Sequence, residues 1–242
     1  MNPISLDNAL KIFGDNVRRK QYESVQIPID LQTGLHMITR IGRMFKPKFV
    51  IDKENQSGYE QLFWYFTGQF DNFNGDPQKG ILAIGKKGTG KTLAMVVMQH
   101  MLKFLDLSGH FNAVPFKPFY EIVKCTEIKS DFADQENGGL KTLKLYKTRH
   151  VVFCFDDIGE EIRDQPLAIH YSVQLNVLEN ILTTRAELFK VHHTLTHATS
   201  NYPIESSDGS KKYFEKFYGD RIADRALEMF NVITFQGESR RH

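Results

Sequence analysis

The chain has 242 residues, of which 41% are apolar and 25% charged, with 31 Lys and Arg against 29 Asp and Glu and a formal net charge of +2. Such a length and apolar share fill one sizeable core, and the near balance of charge excludes a globally basic, DNA-coating protein while leaving room for a local basic patch. The N-terminal run Met1-Asn2-Pro3-Ile4-Ser5-Leu6-Asp7 lacks the basic-then-apolar order of a signal peptide, and no apolar stretch approaches membrane-spanning length. The expectation is a cytoplasmic protein with no membrane partner.

From Asn8 to about Pro47 short helical signals alternate with breaks at Pro28 and Gly34, and the segment carries Arg18, Arg19, Lys20, Arg40, Arg43, Lys46 and Lys48. Residues 1–50 are expected to form a small N-terminal appendage and residues 51–242 the main domain. Tyr59, Leu62, Phe63, Phe66 and Phe70 recur at helical spacing and predict a helix from about Gly58 to Phe70 with one apolar face, off which Trp64 and Tyr65 fall. The turn-rich Asp71-Asn72-Phe73-Asn74-Gly75-Asp76-Pro77 then brings the chain to the apolar run Ile81-Leu82-Ala83-Ile84.

Directly after that run comes Gly85-Lys86-Lys87-Gly88-Thr89-Gly90-Lys91-Thr92, followed by the helical Leu93-Ala94-Met95-Val96. Strand, glycine-rich loop with Lys-Thr, and helix form a complete phosphate-binding loop, or P-loop. Its glycines let successive N–H groups point inward at the phosphates, and the following helix adds the positive end of its dipole. Lys91 is expected to reach the β- and γ-phosphate oxygens, and the Thr92 hydroxyl to take one position on Mg²⁺. The chain is therefore expected to bind a nucleoside triphosphate with Mg²⁺.

The P-loop helix is expected to run to about Leu107, followed by a strand at Tyr120–Cys125 and a helix start between Ser130 and Gln135. Leu140–Lys147 places Lys141, Lys144 and Lys147 at every third residue and reads either as a basic helix face or as an alternating strand. Cys125 and Cys154 lie in apolar runs, which suits reduced core thiols better than a disulfide or a metal site. Next come the buried-strand pattern Val151-Val152-Phe153-Cys154-Phe155, a long helical stretch from Val173 to Phe189, a strand at Thr194–Ala198 and a C-terminal part from Lys211 onward. Strands alternating with helices imply an α/β fold with a parallel sheet flanked by helices.

The strand pattern ending at Phe155 is followed by Asp156-Asp157, which puts two acids at the carboxyl edge of the sheet beside the P-loop. Asp156 is expected to hold Mg²⁺ and Asp157 to orient and deprotonate the attacking water.

Taken as a set and in order, the strings Asp156-Asp157-Ile158-Gly159-Glu160-Glu161, Leu178-Glu179-Asn180-Ile181-Leu182-Thr183-Thr184-Arg185, Thr196-His197-Ala198-Thr199-Ser200-Asn201 and Gly219-Asp220-Arg221-Ile222-Ala223-Asp224-Arg225 resemble the DnaC/IstB-like branch of the AAA+ ATPases. These are replicative helicase loaders and the ATP-binding helpers of insertion-sequence transposases. The resemblance covers roughly the last three quarters of the chain and implies that residues 51–242 form an AAA+ ATPase domain. It also implies that Asn201 is the residue that senses the γ-phosphate or the attacking water, and that Arg225, with Arg221, supplies an arginine finger to a neighbouring subunit's site. A finger acting in trans implies a homo-oligomer. Arg185 matches a recurrent family arginine without a specific role. Gly237-Glu238-Ser239-Arg240-Arg241 is similar to the family's terminal string with Arg240 in place of an aromatic, and the C-terminal lid of typical AAA+ proteins is expected to be small or absent.

The family implies DNA, single-stranded more than duplex, and a replicative helicase or a transposase as partners. Lys141, Lys144, Lys147 and Arg149, with Tyr146 able to stack on a base, are the local candidates for DNA, against a plain solvated basic face. His193 and His197 share a strand face only at wide spacing and lack a supporting carboxylate or cysteine cluster, so no metal site is expected there. The expected activity is Mg²⁺-dependent ATP hydrolysis in helicase loading. The alternatives are a transposase helper and a nucleotide-gated adaptor with negligible hydrolysis. A stand-alone P-loop kinase is disfavoured by the arginine box and the missing lid.

Overall fold

The computed structural model describes residues 26–107, 119–162, 167–203 and 213–240. The N-terminal arginines Arg18 and Arg19, Lys20, and the terminal Arg241 lie outside them.

Five strands form one parallel sheet: β1 (Gly80–Ile84), β2 (Glu121–Lys124), β3 (Phe153–Ile158), β6 (Thr196–Ser200) and β7 (Phe230–Thr234), in the order β2-β3-β6-β1-β7. A separate antiparallel hairpin joins β4 (Ala168–His170) to β5 (Val173–Leu175). The helices are α1 (Leu31–Phe45), α2 (Gln56–Phe66), α3 (Lys91–Leu107), α4 (Cys125–Ala133), α5 (Leu140–Tyr146), α6 (Val177–His192), α7 (Tyr213–Tyr218) and α8 (Asp220–Met229).

Alternation along each strand divides the core between the two sheet faces, as the period of two requires. On one face Ile81 and Ala83 of β1, Cys154 of β3 and Ile233 of β7 pack with Ile38 of α1, Leu62 and Phe63 of α2, and Met95 and Met98 of α3. On the other face Leu82, Phe155 and Ala198 pack with Ile128 of α4, Ile181 of α6, Phe214 of α7 and Ala226 of α8. Both cysteines are buried and free, and burial pushes both thiols up.

The expected break at Gly34 is instead a position inside α1. A Cβ there would lie 2.1 Å from the Phe63 ring, so the glycine lets α1 close onto α2. The helix starts three residues earlier, at Leu31, where the carboxylate of the capping Asp30 accepts from Thr33 N at 2.9 Å. Through Ile27, Ile38 and Phe49, residues 26–50 share one hydrophobic cluster with the P-loop strand.

The helix expected to reach Phe70 stops at Phe66; Gly68 has φ +72° and a short 3-10 turn covers Phe70–Asn72. Tyr65, expected off the apolar face, is buried, and its hydroxyl donates to Lys79 O at 2.7 Å. Cys125 opens α4 and does not end a strand. The lysine-rich stretch is helical, as one of its two readings had it. The long helix expected from Val173 begins only at Val177, where Asn176 caps it by accepting from Glu179 N at 3.3 Å, and β5 occupies Val173–Leu175. Among the described residues no helix follows β7, and none is long and apolar enough to cross a membrane.

Candidate active site

The parallel sheet delivers the ends of β1, β3 and β6 to one edge, and each end carries a piece of the candidate site. β1 runs into the loop Gly85–Gly90, and α3 starts at Lys91. The loop is shaped by Thr89, whose N–H and hydroxyl both donate to Lys86 O, at 3.3 and 3.0 Å. Gly90 adopts φ +98°, and a Cβ there would meet nothing within 4 Å, so the glycine serves backbone conformation and leaves open space above the loop. This cradle fits a chain of phosphates, which would accept from the inward N–H groups.

Lys91 is only 4% exposed. Its Nζ donates to Gly85 O at 2.9 Å, to Lys86 O at 3.0 Å and to Asn201 Oδ1 at 2.8 Å. The ammonium is thus held over the loop by neutral oxygens, which a phosphate oxygen would outcompete through its charge. Next to it the Thr92 hydroxyl donates to Asp156 Oδ1 at 2.7 Å, and the Thr199 hydroxyl donates to the same oxygen at 2.6 Å. Asp156 is buried. Hydroxyl and carboxylate oxygens side by side are the hard donors that Mg²⁺ takes, the remaining positions falling to water and phosphate. Among the described residues no group of three or more His, Cys, Asp or Glu is arranged to hold a metal alone, so a Mg²⁺ here would be bound together with the phosphates.

Between Phe155 and Ile158 the register of β3 against β6 shifts, and Asp157 takes φ +58°. A bulge of this kind re-aims a side chain, and a non-glycine residue in the left-handed region costs on the order of 1 kcal/mol. The position is fixed from behind: Asp157 N donates to Thr199 Oγ1 at 2.9 Å. Asp157 and Asn201 line the same cavity as Gly88–Leu93, with a volume of about 410 Å³. Asn201 joins three elements: its Oδ1 accepts from Lys91, while its Nδ2 donates to Glu160 Oε1 at 2.8 Å and reaches Asp157 Oδ1 at 3.5 Å.

The chain bears a partial likeness to several solved structures. It shares 17% identity and a TM-score of 0.48 with the crystal structure of the DnaC helicase loader, over 79% of this chain and 95% of that one. With the crystal structure of DnaI the figures are 20% and 0.45, over 92% and 93%. With AMPPCP-bound DnaA from Aquifex aeolicus they are 14% and 0.45, over 78% of this chain and 49% of that one. These likenesses concern fold and nothing finer. No protein-family model and no curated protein sequence matches the chain.

The sequence-expected residues Gly85 to Thr92, Asp156, Asp157 and Asn201 therefore meet at one sheet edge. Arg221 and Arg225 do not join them. Both lie on α8; Arg221 is exposed, whereas the Arg225 side chain is 15% exposed and its Nη1 lies 3.4 Å from Thr183 O and 3.8 Å from Glu187.

Among the DNA candidates, Lys141, Lys144 and Arg149 are exposed on and just after α5, but Lys147 donates to Asn180. Tyr146 is buried edge-on against Phe153 and cannot stack on a base, because α5 turns that side toward β3. Lys46 and Lys48 line the cavity. His193 caps α6 in a left-handed conformation, while His197 sits in the core and its Nδ1 accepts from Ile81 N at 3.0 Å.

Three contributors were not visible from the sequence. Thr199 links Asp156 to Asp157, Glu160 holds Asn201, and Arg240 closes the cavity from the chain's other end. Glu160 carried a signal, as a third acid in a tight turn after the strand, and Arg240 stood out only as the departure in the terminal string. That turn is anchored by buried Glu161, which accepts from Gly159 N at 2.9 Å and from the Tyr218 hydroxyl. Burial raises the Glu161 carboxyl above its usual value.

Proposed function

We propose that this chain is a Mg²⁺-dependent ATPase of the DnaC/IstB-like AAA+ type that works as a homo-oligomer on DNA and loads a replicative helicase. The observation that carries the ATPase reading is the Lys91–Asn201–Glu160 and Thr92–Asp156 connectivity around one cavity at the carboxyl edge of the sheet. It supplies a phosphate cradle, a cation over it, oxygen donors for Mg²⁺, and a carboxylate beside an amide that can orient water. In this reading Lys91 leaves the loop carbonyls for the β- and γ-phosphates, Thr92 and Asp156 hold Mg²⁺, and Asp157 takes the proton of the attacking water that Asn201 orients. Bound Mg²⁺ would supply neutralisation of charge on the phosphates.

The choice of helicase loading, with single-stranded DNA as the nucleic-acid partner, rests on the sequence resemblance. Steady-state ATP hydrolysis across a titration of single-stranded DNA tests it, with Lys91→Ala as the blank. Turnover that rises with both DNA and protein concentration supports the reading. Turnover indifferent to DNA overturns the DNA part, and none above the blank overturns the ATPase.

A further inference from the structure

The cavity at the P-loop extends beyond the phosphate cradle. Besides the loop, Asp157 and Asn201, its lining holds the apolar Phe49, Val50, Tyr59 and Leu93, with Arg240, and the polar Lys46, Lys48 and Asn55. Arg240 reaches this place because the chain after β7 runs back over the loop: Phe235 N donates to Ile84 O at 2.7 Å, and Arg240 N donates to Gly88 O at 2.9 Å.

The guanidinium is held in one orientation. Nη2 donates to Asp52 Oδ1 at 2.9 Å and to Glu54 Oε2 at 3.1 Å, and Nη1 pairs with the other Asp52 oxygen. This fork-to-carboxylate geometry fixes the plane and engages three of the four Nη–H donors. The pairing with Asp52 also raises the group's pKa above the ordinary arginine value, so the charge is permanent. What remains is the flat cationic face, together with one Nη1–H and an Nε–H that is buried without a partner. A guanidinium whose edge is occupied recognises a ligand through its face, and a flat aromatic ring is the ligand that suits a cationic face between apolar walls.

On the reading that phosphates occupy the loop, we propose that Arg240 is the nucleobase-recognition residue of this chain, stacking on the ring of a purine nucleoside triphosphate. The two acids before α2 are then positioning residues that hold the plane, and the segment after β7 becomes part of the nucleotide site. A purine offers a larger face than a pyrimidine and is the better-bound class.

The test is calorimetric binding of ATP, CTP and inorganic tripolyphosphate to the wild-type chain and to Arg240→Ala, Arg240→Lys and Asp52→Ala. Tripolyphosphate reads the loop alone and reports that it is still formed. Arg240→Ala should weaken ATP by roughly tenfold, the size of a partly desolvated cation–π contact, leave tripolyphosphate within about twofold, and narrow the preference for ATP over CTP. Arg240→Lys keeps the charge without the plane and should behave like the alanine variant; Asp52→Ala should show a smaller loss confined to the nucleotides. Equal losses for ATP and tripolyphosphate, or unchanged ATP binding, would overturn the assignment. If wild-type protein binds neither ATP nor tripolyphosphate, the nucleotide reading itself fails, and this assignment with it.

Discussion

Asn201 has one acceptor and one donor group, and both are committed: the carbonyl oxygen to Lys91 and the amide nitrogen to Glu160, with Asp157 slightly farther away. An amide held in this way cannot rotate to exchange its ends, so the N–H that faces the acids stays on the side where an attacking water must be oriented. Glu160 supplies that restraint through one oxygen, which a glutamine also has. Glu160→Gln should therefore keep most of the ATP turnover, whereas Glu160→Ala should lower kcat by about tenfold, the worth of one hydrogen bond, with KM for ATP unchanged. Asp157→Asn, which removes the proposed base, should bind ATP and turn it over at the rate of the Lys91→Ala blank. A Glu160→Gln variant as inert as Asp157→Asn would instead make Glu160 the base. Asp157 is one methylene shorter than a glutamate, and the bulge with its left-handed backbone turns it outward to the cavity it lines.

Among the elements, the strand–loop–helix unit of β1 and α3 was legible because its cues are local: an apolar run, glycines where the backbone must turn, and a helical period directly afterwards. The β4–β5 hairpin was not, since its strands are three residues long, too short for alternation to outweigh the helical pattern that follows. The cue that could have placed the start of α6 was Asn176, a capping residue three before Glu179. Gly34 misled because its reason for being glycine is the Phe63 ring on another helix, and Tyr146 because α5 buries one side of a short basic helix. Arg185 of α6 likewise declares its role only in three dimensions. It is fully buried, donates to Thr196 Oγ1, Thr148 O, Val151 O and Leu195 O, and lies 5.6 Å from the centre of the Phe153 ring. Burial lowers its pKa to about 10. These contacts tie α6 to the starts of β3 and β6, at the end of the sheet opposite the acids. Arg185→Met strips those carbonyls of their donor and should cost about 3 kcal/mol in urea unfolding while leaving ATP affinity of the folded protein unchanged. Unchanged stability would show that water or neighbours satisfy those carbonyls as well.

For the molecule as a whole, two experiments follow from what the core holds and from what its surface offers. His197 is in the interior among Tyr65, Phe66 and Tyr120, and burial, aided by the positive Arg185, lowers its pKa from 6.5 to about 3. The folded chain therefore stays neutral at a site that the unfolded chain protonates as the pH falls through 6.5. Protons favour the unfolded state in that window, and stability declines on acidification by about 2 kcal/mol at pH 5. His197→Asn keeps an acceptor for Ile81 N and should show a flatter dependence of stability on pH between 7 and 5; an equal slope would mean that the imidazole is not the titrating group. The surface poses the larger question: neither Arg221 nor Arg225 of α8 lines the cavity of its own chain, so the proposed finger would act on a neighbour's phosphates. Arg221 is already exposed, whereas Arg225 would have to leave Thr183 O and Glu187 as subunits meet, which under the proposed function would make finger insertion and assembly one event. Separately, Asp157→Asn has an intact finger and a dead site, and a chain carrying both Arg221→Ala and Arg225→Ala has an intact site and no finger. Mixed, the two inactive proteins should regain part of the wild-type turnover, since some interfaces pair a finger from the first with a site from the second. A mixture no more active than its parts, from proteins that each still bind ATP, would mean that the site is complete within one chain and that the α8 arginines serve only its packing.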